Sequence, residues 1–241
     1  MRQLRVCLTS DLYLPHYNDG DNIVVVVDIL RATSVISTAF HYGIKDVIVV
    51  RSIEEAAGYL EKENHIVAAE RDAMPLKGFT YGNSPFQYMN DKIQNKTLVL
   101  TTTNGTHSIS IAQDHSVITA SYVNINKVYN FIKNHHKDVV ILCSGWKGLV
   151  NMEDSVFAGN LSEKLLSSEL FESSCDSVLA SIELYKASGE NLFKFLEDSS
   201  HRRRLKHLNM EDDTRFCLSP TFQSEIVPVF RNGRLVANKE Y

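Results

Sequence analysis

Four short polar clusters in this sequence bring acids, guanidinium groups and hydroxyls together at close spacing. They are Asp28 with Arg31, Thr33 and Ser34; the pair Glu70-Arg71; "TTTNGT" from Thr101 to Thr106; and "CSGWKG" from Cys143 to Gly148, followed by Glu153-Asp154. Asp28, Glu70, Glu153 and Asp154 offer hard oxygen ligands of the kind magnesium takes, one or two at a time, beside water and substrate phosphate. Arg31 and Arg71 carry planar forks that match a phosphate or a carboxylate. Asn104, Gly105 and Thr106, at the start of a helix, present N–H groups and a hydroxyl to an anion. Acids, arginines and an anion nest together suggest phosphoryl chemistry with a divalent metal. Neither GxxxxGK[ST] nor GxGxxG occurs, so nucleoside triphosphates and dinucleotides find no support.

Each cluster also has a plainer reading. An Asp after a strand is commonly a helix cap, and Arg31 could simply pair with it. Glu70-Arg71 could be a surface ion pair, "TTTNGT" a turn, and Glu153-Asp154 a complement to a helix dipole. The functional reading rests on four clusters meeting at one place. The other polar features are weaker. The nine histidines show no metal-ligand spacing, and Cys143 ends an apolar strand as a small hydrophobe would. "HRRRLKH" (201–207) reads as a solvated helix face, while Trp146 and Lys147 are candidates for a lid or substrate contact.

The elements that must position these clusters alternate. Apolar, β-branched runs at 4–8, 23–27, 46–50, 65–69, 97–101, 116–120 and 138–143 read as strands. Between most of them lie helical segments, including one from Arg31 ending at Gly43 and one capped by Ser52 with Glu55. Ser84 and Pro85 read as the start of another. A long helical run is expected from Glu153 to about Leu196, and Asn232-Gly233 predicts a hairpin that finishes or edges the sheet. The pattern is α/β with a largely parallel sheet covered on both faces. In such sheets ligands bind beyond the carboxyl ends of the strands, where all four clusters fall. With no linker-like tract, one domain over 1–241 is expected, with two tightly packed α/β halves as the alternative.

Composition narrows the partners. The 241 residues are 44% hydrophobic and carry a formal net charge of −4, which argues against nucleic acid or an anionic membrane as partner. Four scattered cysteines without a CxxC pair suit a reducing cytoplasm. No apolar run reaches the length that spans a membrane. A homodimer is the base-rate expectation for a cytoplasmic enzyme.

The blocks "VVVVDILRATSVISTAF", "AAERDAMPLKGFTYGNSPFQY", "KTLVLTTTNGTHSI", "VVILCSGWKGLVNMEDSVFAGNL" and "NMEDDTRFCLSPTFQSEIVPVF" resemble, in order, those of the 2-phosphosulfolactate phosphatase, or ComB-like, family. The resemblance implies a three-layer α/β/α fold with a mixed sheet. It also implies a magnesium-dependent phosphatase that releases phosphate from 2-phosphosulfolactate on the way to coenzyme M. By position, the family's polar signature falls on Asp28, Arg31 and Thr33, on Glu70 and Arg71, and on Asn83 and Ser84. It continues over Thr102, Thr103, Asn104, Gly105 and Thr106, then Glu153, Asp154 and Asp213. Asn83, Ser84 and Asp213 come from the resemblance alone. Two departures stand out: "AER" replaces an expected "GER", and Trp146 puts bulk into the glycine-bearing turn.

The expectation is therefore a metal held by Asp28 with Glu70, Glu153 or Asp154, and phosphoryl charge met by Arg31, Arg71 and the segment from Asn104 to Thr106. The nucleophile is either metal-activated water or Asp28 itself; "DIL" lacks the second acid of a DxD pair, which favours water. Two alternatives remain: a phosphatase for another small phosphorylated hydroxy acid, and a non-catalytic module that binds a phosphometabolite. Lys147 and the Arg202–Arg204 run are the candidates for holding a sulfonate.

Overall fold

The computed structural model describes residues 1–71 and 74–239, with the side chains at 71, 74 and 75 outside that description. Among the described residues, eleven strands form one sheet: β1 (Arg2–Cys7), β2 (Asn22–Val27), β3 (Asp46–Val49), β4 (His65–Arg71), β5 (Met74–Pro75), β6 (Thr97–Thr101), β7 (Ser116–Ala120), β8 (Asp138–Cys143), β9 (Phe171–Glu172), β10 (Val227–Arg231) and β11 (Arg234–Asn238). Their order is β5-β4-β6-β3-β11-β10-β7-β2-β8-β1-β9. The helices are α1 (Tyr13–His16), α2 (Ala32–His41), α3 (Ile53–Ala57), α4 (Gly105–Ile111), α5 (Ile125–Lys133), α6 (Met152–Leu166), α7 (Asp176–Ser188), α8 (Leu192–Phe195), α9 (Ser200–His207) and α10 (Glu211–Leu218). Among the described residues, no helix is long and apolar enough to cross a membrane.

The three layers follow from strands that are apolar on both faces. In β2, Ile23, Val25 and Val27 join a core shared with α5, α6 and α7, while Val24 and Val26 join a second core with α2 and α4. β8 divides the same way. This alternation within an unbroken apolar run is what a central parallel strand requires.

Two expectations change. The hairpin forms at Asn232-Gly233, both with positive φ as a type I′ turn demands, but β10 and β11 sit mid-sheet between β7 and β3 rather than at an edge. Both outer pairings are antiparallel. The parallel group β4-β6-β3 therefore runs opposite to the parallel group β7-β2-β8-β1. The long helical run after Glu153 is also broken, into α6, β9, α7 and α8. Gly159 lets α6 and α7 touch: a Cβ there would fall 1.9 Å from Ser181 O.

Opposed groups would place their carboxyl ends at opposite edges of a flat sheet. Twist corrects this, since roughly 20–25° per strand accumulates to about 100° or more over the five steps from β6 to β2. The sheet coils around α2 and α4, and α4 touches both β2 and β3. The second core accordingly mixes Val24 and Val26 with Leu98 and Leu100 of β6 and Ile66 and Ala68 of β4.

Candidate active site

Two strand-to-helix turns meet here, and each is locked by a threonine. After β2, Thr33 Oγ1 donates to Asp28 O at 2.9 Å and accepts from Asp28 N at 3.1 Å. After β6, Thr106 Oγ1 donates to Thr102 O at 2.9 Å, while Thr102 Oγ1 accepts from Thr106 N at 3.3 Å. Thr33 and Thr106 are thus occupied in fixing backbone. Gly105 opens α4 directly against Asp28; a Cβ on it would lie 2.8 Å from Asp28 Oδ2.

A narrow cleft, with about 20 Å³ open to water, lies at this junction. Asp28, Arg31, Glu70, Asn83, Thr102, Thr103 and Asn104 line it together with Leu30, Trp146, His201 and Arg204. Seven of the expected positions therefore converge, from the end of β4 and from segments after β2, β5 and β6. Thr33, Ser84, Gly105, Thr106, Glu153, Asp154 and Asp213 do not line the cleft. Ser84 sits at the N-cap position of a short 3-10 helix, Pro85–Tyr88, but its hydroxyl makes no capping bond and donates instead to Asp213 Oδ1 at 2.8 Å, and Asp213 also forms an ion pair with the buried Arg31. The side chain of Arg71 lies outside the described residues.

Asp154 is wholly buried, with its oxygens taken by N–H donors: Ile29 N at 2.9 Å on Oδ1, and Gly145 N at 3.3 Å and Asn151 Nδ2 at 2.9 Å on Oδ2. These contacts clamp the β2–α2 turn to the turn after β8. Asp154 is therefore set to hold backbone rather than a cation. Glu153 is also fully buried; its Oε1 lies 2.5 Å from His201 Nδ1, and its Oε2 has no partner among the described residues.

Sequence reasoning missed His201, and it had Arg204 only as one of a run, Arg202–Arg204, that could hold a sulfonate. "HRRRLKH" is α9, and His201, Arg202 and Leu205 are buried rather than forming a solvated face. Leu205 at i+4 from His201 was the available signal for an inward stripe. His201 Nε2 lies 2.7 Å from Arg204 Nη2. A guanidinium can only donate, so Nε2 must accept; the ring is then neutral and its proton sits on Nδ1, donated to Glu153.

Burial pushes the Asp28 carboxyl up to about 6, with Glu70 and Glu153 adding to the rise; the Ala32 N–H opposes it. Burial raises Asp154 well above the ordinary carboxylate range, reinforced by Asp28 and Glu153. Negative charge is thus crowded into a dry place. Among the described residues, no group of three or more His, Cys, Asp or Glu is already gathered as a metal cage. Cys143 is buried and its thiol raised by burial, as a small hydrophobe's would be. A larger groove of about 1080 Å³, beside α8 and α10, has acids and a guanidinium of its own in Glu190, Asp212, Asp213 and Arg215, but none of Asp28, Arg31, Glu70 and Arg204 lines it.

A family model described as 2-phosphosulpholactate phosphatase matches residues 7–233. A protein of Caldanaerobacter subterraneus subsp. tengcongensis named probable 2-phosphosulfolactate phosphatase is 38% identical over 222 residues, covering 90% of this chain and 91% of the relative. A Thermotoga maritima protein of the same name is also 38% identical, covering 87% and 89%. One from Clostridium perfringens is 31% identical over 242 residues, covering 97% and 95%.

Proposed function

Because this chain belongs to the 2-phosphosulfolactate phosphatase family, we propose that it hydrolyses 2-phosphosulfolactate to sulfolactate and phosphate with magnesium as cofactor. The class of enzyme, a phosphoric monoester hydrolase, follows from that membership. The observation that carries the reading is one cleft lined by two carboxylates, Asp28 and Glu70, and two guanidiniums, Arg31 and Arg204.

The donor set fits a hard divalent cation. Asp28 Oδ1 is met by the Ala32 N–H at 3.3 Å, while Oδ2 faces Gly105; Glu70 lines the same cleft, and Glu153 Oε2 is buried without a partner among the described residues. Magnesium takes one or two carboxylates plus water and phosphate, so Asp28 and Glu70 suffice as protein ligands, with Glu153 behind them. Such an ion supplies a Lewis acid that draws charge off the phosphoryl oxygens.

The chain's own groups do the rest. Arg31, pinned by Asp213, presents its fork to the oxygens of the transferring phosphoryl group. Asn83, Thr102, Thr103 and Asn104 orient the ester by hydrogen bonding, and the Thr33 and Thr106 locks hold the two turns that carry these groups. His201 keeps its proton on Nδ1, against Glu153, and fixes that carboxylate in place. The narrowness of the cleft means that entry of an ester requires it to widen.

The test is phosphate release by the purified chain from 2-phosphosulfolactate beside a panel of phosphorylated hydroxy acids, in magnesium and in chelator. Magnesium-dependent release, best on the sulfonated ester, is expected. Preference for another ester would discard the substrate and keep the chemistry. No release from any would leave a phosphometabolite-binding module as the better reading.

A further inference from the structure

The turn after β8 that carries Trp146 is tied down along its backbone. Trp146 N donates to Leu149 O at 2.8 Å and Leu149 N to Trp146 O at 3.0 Å, which closes a two-residue hairpin. Lys147 and Gly148 between them both have positive φ, 51° and 75°, as a type I′ turn demands. Gly145 N donates to Asp154 Oδ2 at 3.3 Å, and a Cβ on Gly145 would fall 2.5 Å from Leu149 O, so the turn folds back directly onto a glycine. At the tip, Lys147 N donates to Asn104 Oδ1 at 3.4 Å, which ties the turn to the residue preceding α4.

The indole is placed as well as the backbone. The Arg204 guanidinium carbon lies 4.6 Å and Lys147 Nζ 4.9 Å from the centre of the Trp146 ring. Of the described residues that line the cleft, the acids Asp28 and Glu70 are buried, whereas Thr103, Asn104, Trp146 and Arg204 are half-buried and form its mouth. Trp146 is the bulkiest of those four. With about 20 Å³ open to water, the cleft has room for roughly one water molecule. Because the Trp146 backbone is fixed, room on that side is made by rotation of the indole alone.

We propose that Trp146 is a specificity-determining residue that sets the width of the cleft mouth, admitting compact phosphate esters and excluding those with an aryl group beside the ester carbon. That the ligand is a phosphate ester rests on the phosphatase reading above. Discrimination of this kind works by clash rather than by added affinity. A compact ester needs a small rotation of the indole. A bulky one needs it turned out of the mouth, at the cost of its contacts with Arg204 and Lys147.

The experiment compares the parent chain with Trp146→Ala and Trp146→Phe, in magnesium, on two esters that share one carboxylate and differ only in bulk, 2-phospholactate and 3-phenyl-2-phospholactate. The parent is expected to favour the smaller ester by about tenfold or more in kcat/KM. Trp146→Ala should reduce that preference by about tenfold, chiefly through KM for the larger ester, and Trp146→Phe should restore part of it. General damage to the turn would lower both esters alike and leave their ratio as it was. A ratio unchanged in Trp146→Ala, or no preference in the parent, would overturn the proposal.

If the parent releases no phosphate, the phosphatase reading falls and calorimetric titration of the same two esters in magnesium decides this one. A preference for the smaller ester that Trp146→Ala abolishes sustains the assignment; equal affinities, an unchanged ratio or no binding of either ester refutes it. Trp146 is also the only tryptophan of the chain, so its emission reports on the mouth without any variant. Saturating 2-phospholactate is expected to change the intensity and position of that emission. An unmoved emission would put the bound ester out of contact with the indole and overturn the proposal.

Discussion

A Cβ on Gly105 would lie 2.8 Å from Asp28 Oδ2, so the start of α4 and the end of β2 are in contact although β6 and β2 are separated by four other strands. This contact joins the two opposed halves of the sheet at the point where the acids gather. Its closeness depends on the residue being glycine, because the nearest atoms belong to a catalytic candidate and to Ala32 Cβ at 2.7 Å.

Gly105→Ala should therefore push the two turns apart. We expect a destabilisation of about 1–3 kcal/mol and a fall in kcat of about 100-fold. Urea unfolding and steady-state kinetics on the same preparation check this, and a variant with full activity would show that the turns are not held in register by this approach.

The elevation of Asp28 has a definite sign. With its carboxyl raised to about 6 in the folded chain, the native state keeps a proton that the unfolded state has released between about pH 4 and 6. Stability falls as pH rises through that window, and the full penalty persists above it. Asp28→Asn should be inactive yet more stable than the parent by about 1–3 kcal/mol above pH 6 in chelator, with the gap closing towards pH 4. A gap independent of pH would contradict the assignment.

The ion pair of Arg31 with Asp213 links residues 182 positions apart, and Arg31 is buried. Asp213→Asn removes the carboxylate charge of this pair from beside the buried guanidinium and should cost about 3 kcal/mol of stability, together with most of the activity. Ser84→Ala, which removes only a supporting hydrogen bond, should cost about 1 kcal/mol. Equal costs would mean that the charge on Asp213 is unimportant.

Magnesium titration should separate the acids. Asp28→Asn and Glu70→Gln should weaken binding by about tenfold or more, whereas Asp154→Asn should leave affinity within about threefold while lowering stability by about 1–3 kcal/mol. The reason is that Asp154 already accepts from Ile29, Gly145 and Asn151. A large loss of affinity in Asp154→Asn would restore it as a ligand.

Local pattern determined a great deal about this protein. The seven apolar strands, the hairpin at Asn232-Gly233 and the Ser52 cap, which accepts from Glu55 N at 3.1 Å, all form where residue type and spacing place them. The polar clusters after those strands do supply most of the cleft. These features depend on neighbours a few residues away, and a sequence carries that information directly.

Tertiary structure decided how the clusters meet and what each residue does. The strands that carry them belong to two opposed parallel groups, and their ends converge through the coil of the sheet around α2 and α4, which no strand encodes alone. Asp28 and Asp154 look alike as acids following a strand; only the N–H donors arriving from Gly145 and Ile29 make Asp154 a clamp. His201 and Arg204 looked like part of a solvated basic run until α9 packed them against Glu153 and Trp146. Those roles arise from contacts between distant segments, where burial and available partners, rather than residue type, fix the chemistry.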